Sequence, residues 1–301
     1  MNSLFVRSVR ARASIASGLR AKQFSTVGAA LEKAVEALPH REAVRAFAKV
    51  DRDDDLRWSY AEFNRYVDEL TNGFLELKFN KGDTLALWLP NNAENLVAQF
   101  AAAKAGLTIA AVDPTIDTVD ELAFVIKDSK AVALLFDPKN NSNDPTSVAN
   151  QVFGQQGFHG SLHTVITTAI DPVYDFLQFR HILVNALEPH HSRQREAEIN
   201  ESTPLVVPYL RKNGGNPTRG TVLTHGDVLK KAKQIADSVK LTSNDKIVST
   251  ELTPGFVVGS VAAALKQSMV VIASPDLYDH AVKLESPNVV ADKTADLKRL
   301  I

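Results

Sequence analysis

Residues 82–94 read GDTLALWLPNNAE, and this stretch decides the fold. Its apolar run at 84–89 is typical of a strand that is buried on both faces of a sheet. Residues 90–92 then break the strand, and the small side chains of 93–105 favour a helix that packs tightly on the sheet. Because Gly106 marks the end of this helix, the stretch predicts one complete strand–helix unit.

The same alternation extends outward in both directions. Ser59 and Glu62 have the sequence pattern of a capping box, at the start of a helix predicted over 60–78 from apolar spacings of three and four. Other helices are predicted at 27–38, 117–129, 148–153, 224–239 and 255–266. Other strands are predicted at 44–48, 56–59, 107–112, 131–136, 162–166, 205–209, 246–250 and 269–273. This alternation predicts an α/β fold with parallel or mixed sheets covered by helices.

Composition divides the chain of 301 residues into four parts. Residues 1–26 hold five basic side chains, five serines and no acidic residue, which is typical of a mitochondrial transit peptide. We expect cleavage near 24–27 and a location in the mitochondrial matrix; a basic tail is the alternative interpretation. A first α/β subdomain is predicted at 27–187, a polar linker at 188–204, and a second, partial α/β subdomain at 205–301.

Global composition argues against several classes of function. The net charge is −1, so no field of one sign points to nucleic acid as a partner. The chain has no cysteine, which excludes disulfides and thiolate ligands. The most apolar stretch, 256–273, is interrupted by Lys266 and Gln267, so no transmembrane segment is predicted. His190 and His191 have no ligand partner at metal-binding spacing, and we expect no metal site.

Several segments, in this order and spacing, resemble the N-terminal part of adenylate-forming (AMP-dependent) acyl-CoA synthetases. They are WSYAEF at 58–63, GDTLALWLPNNAE at 82–94, FAAAKAG at 100–106 and VDP at 112–114. The resemblance covers roughly residues 27–272 and implies that family's N-terminal α/β fold. It also implies the family's chemistry, in which a carboxylate attacks the α-phosphorus of ATP, pyrophosphate leaves, and a thiol then takes the acyl group.

The segment PYLRKNGGNPTRGTVLTH at 208–225 resembles the loop with which that family holds the phosphates of ATP. The family loop reads YTSGTTGxPKGVxLTH, and its hydroxyls and backbone N–H groups cradle the phosphates. Arg219 stands in place of the family's lysine. The rest of the frame is kept by Tyr209, Gly215, Pro217, Gly220, Leu223, Thr224 and His225. The resemblance therefore implies an ATP or AMP site in this loop.

The loop also departs from the family. Residues 210–216 contain no serine or threonine, so the phosphate-holding hydroxyls are absent, and Thr218 is a one-residue insertion. Basic side chains remain that attract an anion, and glycines remain that let the backbone approach it. The candidate nucleotide-binding residues are therefore Arg211, Lys212, Gly214, Gly215, Arg219, Gly220 and Thr224. Two interpretations stay open: a residual or rebuilt nucleotide site, and a surface loop left after catalysis was lost.

Two further departures concern the acyl channel and the later motifs. Phe256 stands where family members line the acyl channel, so it is a candidate for an acyl pocket or else an ordinary core residue. The family motifs that supply the magnesium ligand, the ribose contact and the catalytic lysine come beyond Ile301. We therefore expect a truncated copy of the fold whose catalytic residues cannot be named. Mg²⁺ is expected to bind only if the missing part is supplied.

Two functions follow from these observations. The first is a mitochondrial, AMP-binding protein resembling acyl-CoA synthetases, which would take a carboxylate or an acyl-CoA and would be incomplete or impaired when alone. The second is a non-catalytic scaffold or accessory subunit of a mitochondrial complex that keeps the fold. A fragment of a split or truncated gene is the third alternative.

Overall fold

The computed structural model describes residues 25–47, 55–139, 144–157, 160–185, 190–211, 215–249, 254–291 and 297–300. Within these residues the helices are α1 Val27–Ala37, α2 Tyr60–Glu76, α3 Ala93–Ala105, α4 Val119–Ser129, α5 Pro145–Gly157, α6 His190–Ala197, α7 His225–Ser238, α8 Pro254–Lys266 and α9 Tyr278–Glu285. The strands are β1 Glu42–Ala46, β2 Leu56–Ser59, β3 Thr84–Trp88, β4 Thr108–Val112, β5 Ala131–Phe136, β6 Thr164–Thr167, β7 Leu177–Gln178, β8 Pro204–Arg211, β9 Pro217–Arg219, β10 Leu223–Thr224, β11 Lys246–Ser249, β12 Met269–Ile272, β13 Val289–Ala291 and β14 Leu297–Arg299.

The strands of the described residues form two sheets. The larger has the order β10-β8-β4-β3-β5-β6-β7, with β9 paired to β8. Its central strand β3 runs parallel to both neighbours, so that Leu85 lies opposite Ile109 and Ala133. The smaller sheet has the order β14-β13-β11-β12-β1-β2 and is also mixed. The predicted α/β class with mixed, helix-covered sheets is confirmed.

Strand β3 shows how the core is layered. Successive side chains of a strand point to opposite faces. Leu85 and Leu87 enter the core between the two sheets, where helices α1, α2, α3, α7 and α8 contribute buried residues. Ala86 and Trp88 enter the core on the other face, beneath α4 and α5. Both faces of the strand are therefore apolar, as residues 84–89 predict.

Two helix ends that local sequence signals predict are present in the structure, the start of α2 and the end of α3. Ser59 and Glu62 form the capping box at the start of α2, with both reciprocal bonds present. Helix α3 spans Ala93–Ala105 and ends at Gly106, which has a left-handed φ of 70°. A left-handed residue at this place favours glycine, because other side chains are strained there.

Each sheet contains strands from before and after the range 188–204, which is predicted as a linker. β8 begins at the last residue of that range and pairs with β4 in the larger sheet. β1 precedes that range yet pairs with β12 in the smaller sheet. The range itself contains helix α6, which packs on α2 and α3. The subdomain limits 27–187 and 205–301, with the linker 188–204, stay a prediction.

No helix within the described ranges combines the length and the apolar character needed to cross a bilayer.

Lys104 joins four helices of the central layer through one buried ammonium group. Its side chain has no exposed area, and its Nζ lies 2.9 Å from Glu32 of α1 and 2.7 Å from Asp68 of α2. Glu196 of α6 is the third carboxylate, at 3.9 Å. These three carboxylates lie close enough together to suggest a metal ligand set. The ammonium of Lys104 lies among them, so we assign the cluster as an ion-pair network.

The net effect of burial and the charges of this network is to raise the pKa values of both Lys104 and Glu196. Burial acts to lower the pKa of Lys104, but the charges of Asp68, Glu32 and Glu196 outweigh it and leave the pKa above its ordinary value. Burial raises the pKa of Glu196 to about 7, and the charges of Glu32 and Asp68 add to the rise against the opposing pull of Lys104. Three carboxylates thus share one ammonium, and Glu196 is the farthest of them from it.

The ionisation of Glu196 should reduce stability. A carboxyl whose pKa is higher in the folded state binds its proton more tightly there, so stability falls as pH rises from about 4.5 to 7. We expect Glu196→Gln to raise the free energy of unfolding at pH 8 by about 1–3 kcal/mol. This gain should fade below pH 5. Urea titrations at both pH values measure it, with Glu198→Gln as an exposed control; a loss of stability at pH 8 would contradict the assignment.

Gly73 is a site where two segments meet without room for a side chain. A Cβ built on Gly73 would lie 1.8 Å from the carbonyl oxygen of Ile182. The segment that carries Ile182 is tied to α2 nearby, because the amide of Val184 donates to the carbonyl of Glu69 at 3.0 Å. The close approach is therefore built into the contact between α2 and this segment.

Gly73→Ala should therefore destabilise the chain by about 1–3 kcal/mol, because the backbone at Ile182 must move. Gly154→Ala is the matched control, since it adds the same methyl to helix α5 where no atom lies within 4 Å. The control should be neutral or up to about 1 kcal/mol more stable, because alanine favours a helix. Equal effects of the two changes on the urea midpoint would refute the contact.

Candidate nucleotide-phosphate site

The loop at 208–225 lies at the edge where the parallel strands of the larger sheet end. β3, β4, β5 and β8 run parallel, so their carboxyl ends share one edge, and ligands of α/β sheets bind at that edge. β8 ends at Arg211, and β9 folds back on it, with Tyr209 opposite Arg219 and Arg211 opposite Pro217. The chain then passes through β10 into helix α7. The placement is that of a ligand-binding loop.

Arg211 is bound on several sides by groups of the chain itself. Its Nε donates to Glu121 at 3.0 Å, and its Nη2 also contacts that carboxylate. Its Nη1 donates to the carbonyl of Thr115 at 2.7 Å, and its Nη2 to Asp117 at 3.1 Å. Its backbone amide donates to Asp113 at 3.0 Å. The hydrogen bond from Arg211, with its charge, lowers the pKa of Glu121 although burial opposes this. Arg211 therefore holds β8 to the start of α4.

Arg219 has a looser arrangement. Its Nη1 lies 3.4 Å from Asp128, and about half of its side chain is exposed. Asp128 also accepts a hydrogen bond of 2.6 Å from the hydroxyl of the buried Tyr209. Burial raises the pKa of Tyr209, and the bond to Asp128 adds to the rise. Arg219 is thus the more accessible of the two arginines, although a carboxylate lies beside it.

Thr224 uses its hydroxyl to cap helix α7. Its Oγ1 accepts from the amide of Asp227 at 3.2 Å and donates to the Asp227 carboxylate at 2.9 Å, while its own amide donates to the same carboxylate at 3.0 Å. The bonds from Thr224 lower the pKa of Asp227. A helix N-terminus attracts anions, but here a carboxylate of the helix itself already lies at that end.

The glycines of the loop differ in what they do. Gly220 lies against Pro208: its amide donates to the Pro208 carbonyl at 2.7 Å, and an added Cβ would lie 2.5 Å from Cγ of that proline. Its lack of a side chain therefore allows a close backbone approach within the hairpin. Gly215 is exposed. Lys212 and Gly214, also predicted to bind the nucleotide, lie outside the described residues.

His225, the last residue of the loop, is fully buried. The sequence does not predict its structural role. Its Nδ1 accepts a hydrogen bond of 3.1 Å from the backbone amide of Val27, at the start of α1. Burial lowers the pKa of His225 to about 4, so the ring is neutral at physiological pH. The histidine that ends the loop therefore connects α7 to α1. Nothing local in the sequence predicts a partner so far away.

Asn91 is a second residue whose role was missed. Its side-chain amide donates to the carbonyl of Ser249 at 2.6 Å and lies 3.3 Å from that of Ala273, at the ends of β11 and β12. Asn92 caps α3 and donates to Asp137 at 3.0 Å. The two asparagines after β3 therefore connect the ends of strands in both sheets. The available signal was the polar stretch after an apolar strand, which by itself indicates only the end of that strand.

The predicted acyl-pocket residue, Phe256, belongs to the first turn of α8, and its side chain lies outside the described part of the structure. Later residues of the same helix, Ser260 and Ala263, line a small apolar cavity together with Phe63 and Phe100. This cavity lies between α8 and the helices α2 and α3.

The described residues of the loop fit a nucleotide phosphate poorly. Arg211 is bonded to carboxylates of its own chain, and the hydroxyl of Thr224 is used by Asp227. Arg219 and Gly215 are exposed and could still contact an anion. The structure thus brings Arg211, Gly220 and Arg219 together on one hairpin and places Thr224 at the following helix.

Three of the proteins that this chain is similar to show the extent of the match. The medium-chain acyl-CoA ligase ACSF2, mitochondrial, of Homo sapiens is 24% identical over 269 residues, which cover 83% of this chain and 43% of that protein. The apo structure of MbtA from Mycobacterium smegmatis has a TM-score of 0.69 at 21% identity, covering 94% of this chain and 50% of that one. The anthranilate CoA ligase AuaEII, solved with anthranoyl-AMP, has a TM-score of 0.70 at 13% identity, covering 89% of this chain and 49% of that one.

The chain therefore spans half or less of the length of these proteins, and the solved structures agree with its fold. A family model described as "AMP-binding enzyme" matches residues 31–286, which is most of the sequence. The chain belongs to the AMP-binding enzyme family and corresponds to the N-terminal part of its adenylate-forming members.

Proposed function

We propose that this chain is a mitochondrial protein of the acyl-CoA synthetase type that binds an adenine nucleotide weakly and does not by itself activate a carboxylic acid. The family match supports nucleotide binding. The weak binding and the lack of activity are inferred from one observation: Arg211 of the candidate phosphate loop forms ion pairs with Glu121 and Asp117. A cation that is already paired stabilises added negative charge poorly.

The chemistry of the family explains why this pairing matters. Adenylate formation builds negative charge on the phosphates, and the protein offsets it with cations and prepositioned N–H donors. In this chain the loop has no hydroxyl at 210–216, and the hydroxyl of Thr224 is committed to a helix cap. Arg219 and the backbone near Gly215 remain to meet an anion. We assign no reaction step to these residues, because they fit the phosphates only in part.

The substrate class and the location are parts of the same proposal. The human relative is named a mitochondrial medium-chain acyl-CoA ligase, and AuaEII was solved with an acyl adenylate. A carboxylic acid or its CoA ester is therefore the ligand class that we propose for this chain. The basic, acid-free composition of residues 1–26 supports a transit peptide and a matrix location.

A non-catalytic scaffold or accessory subunit is the second candidate. The observation that favours it is the same self-pairing of the loop, with Arg211, Arg219 and Thr224 all engaged by carboxylates of the chain. In this alternative the fold is kept for contacts with other proteins of a mitochondrial complex, and nucleotide binding is lost altogether. The two candidates differ in whether ATP binds.

Nucleotide binding and turnover can be measured on the purified chain. We expect ATP to bind with a Kd of about 1 mM, which corresponds to about −4 kcal/mol. We expect no exchange of pyrophosphate into ATP with acetate, octanoate or palmitate in the presence of Mg²⁺. Exchange with any of these acids would show a working enzyme and contradict the impairment. Failure to bind ATP at about 10 mM would instead favour the scaffold.

The role of Arg211 can be tested by releasing it. Glu121→Gln neutralises one of the two carboxylates that pair with the guanidinium, so ATP affinity should rise about three- to tenfold, because the charge of Arg211 is then less compensated within the chain. The matched control is Asp120→Asn, which makes the same charge change at an exposed neighbouring position. Equilibrium dialysis with labelled ATP compares the two variants. An equal gain in both would mean that only the overall charge matters.

A further inference from the structure

The N-cap and the first residue of α1, Thr26 and Val27, are held by several hydrogen bonds. Thr26 is the N-cap: its Oγ1 accepts from the amide of Ala29 at 3.2 Å, and its carbonyl accepts from Ala30 at 3.1 Å. Val27 is 2% exposed, and its amide donates to Nδ1 of the buried His225 at 3.1 Å. The preceding residue, Ser25, is exposed. The boundary between surface and core therefore falls at Thr26.

Helix α1 is a part of the core that any processed form of the chain must keep. Leu31 and Ala34 have no exposed area, and Glu32 is bound to Lys104 at 2.9 Å. The helix packs on α2, α3, α7 and α8. Loss of its first turn would remove the buried Val27 and with it the partner of His225. A cut within α1 is therefore incompatible with the central layer.

The charge of a new N-terminus discriminates between neighbouring cleavage sites. A cut after Thr26 would place an ammonium group on Val27, which is buried at the positive end of the α1 dipole, and would remove the cap as well. The acceptor of the Val27 amide is the ring of His225, whose pKa burial lowers to about 4, so this partner is neutral and carries no negative charge to offset the ammonium. A cut before Thr26 leaves the ammonium on a partly exposed residue and keeps the hydroxyl cap.

We propose that the leader is removed at the Ser25–Thr26 bond or shortly before it, so that the mature chain begins at residue 24, 25 or 26 and always keeps Thr26. This inference rests on the proposed mitochondrial location. The sequence sets the lower limit, because the basic stretch ends at Lys22, and the cap with the buried amide of Val27 sets the upper limit. Composition alone indicates cleavage near 24–27, and the structure narrows the proposed cleavage site to the bonds before residues 24, 25 and 26.

The N-terminus of the imported protein tests this directly. The full chain is imported into isolated mitochondria, and the N-terminal peptide of the protease-protected product is identified by mass spectrometry. We expect a first residue between 24 and 26. An imported product that starts at Val27 or later, or at any residue before 24, would overturn the proposed cut while leaving the location intact. Absence of import would overturn the location, and the cut with it.

A second measurement tests the boundary without mitochondria. In the full chain, Thr26→Ala removes the cap, and the Tm should fall by about 2–4 °C. Ser25→Ala, one residue earlier on the exposed side, should leave the Tm unchanged. Equal Tm values for the two variants would show that Thr26 is not the structural limit and would overturn the proposal.

Discussion

A single buried ammonium group organises the central layer of this fold. Lys104 projects from α3 toward Glu32 of α1, Asp68 of α2 and Glu196 of α6. Asp68 and Glu32 are the close partners, at 2.7 and 2.9 Å, and removing either would leave the buried ammonium poorly compensated in a region of low dielectric, which is costly. The positions of four helices therefore depend on one another, and both sheets pack against the layer that these helices form.

Ion pairing within the chain also governs the candidate phosphate loop, but there it reduces the binding of a ligand. Pairing inside the chain satisfies Arg211, and it also leaves that cation unavailable to a ligand. Thr224 is similar, because the bonds that cap α7 use the hydroxyl that would otherwise meet an anion. Stability of the apo protein and affinity for a nucleotide thus compete for the same groups. The loop keeps the path of a phosphate-binding loop while its charges are largely neutralised from within.

Prediction from sequence succeeded where the cause was local. The capping box of Ser59 and the glycine that ends α3 are short-range signals, and both elements were predicted almost to the residue. The loss of hydroxyls at 210–216 could also be read directly. The engagement of Arg211 could not, because Glu121 belongs to another strand–helix unit. Two other features were not predicted, because tertiary contacts override local composition. They are the hydrogen bond between Val27 and His225, and helix α6 inside the polar range 188–204.

Each sheet combines strands from distant parts of the chain, and this affects how the chain folds. β1 lies near the start of the described chain, but it acquires its parallel neighbour only with β12. The larger sheet likewise receives β8, which lies between β4 and β10, after most of its other strands. Contacts between distant segments delay folding, because the loops that join them must close first. During synthesis the core between the two sheets stays incomplete until helices α7 and α8 and strand β12, all in the last third of the chain, have emerged, and its apolar surface is exposed to aggregation in that interval.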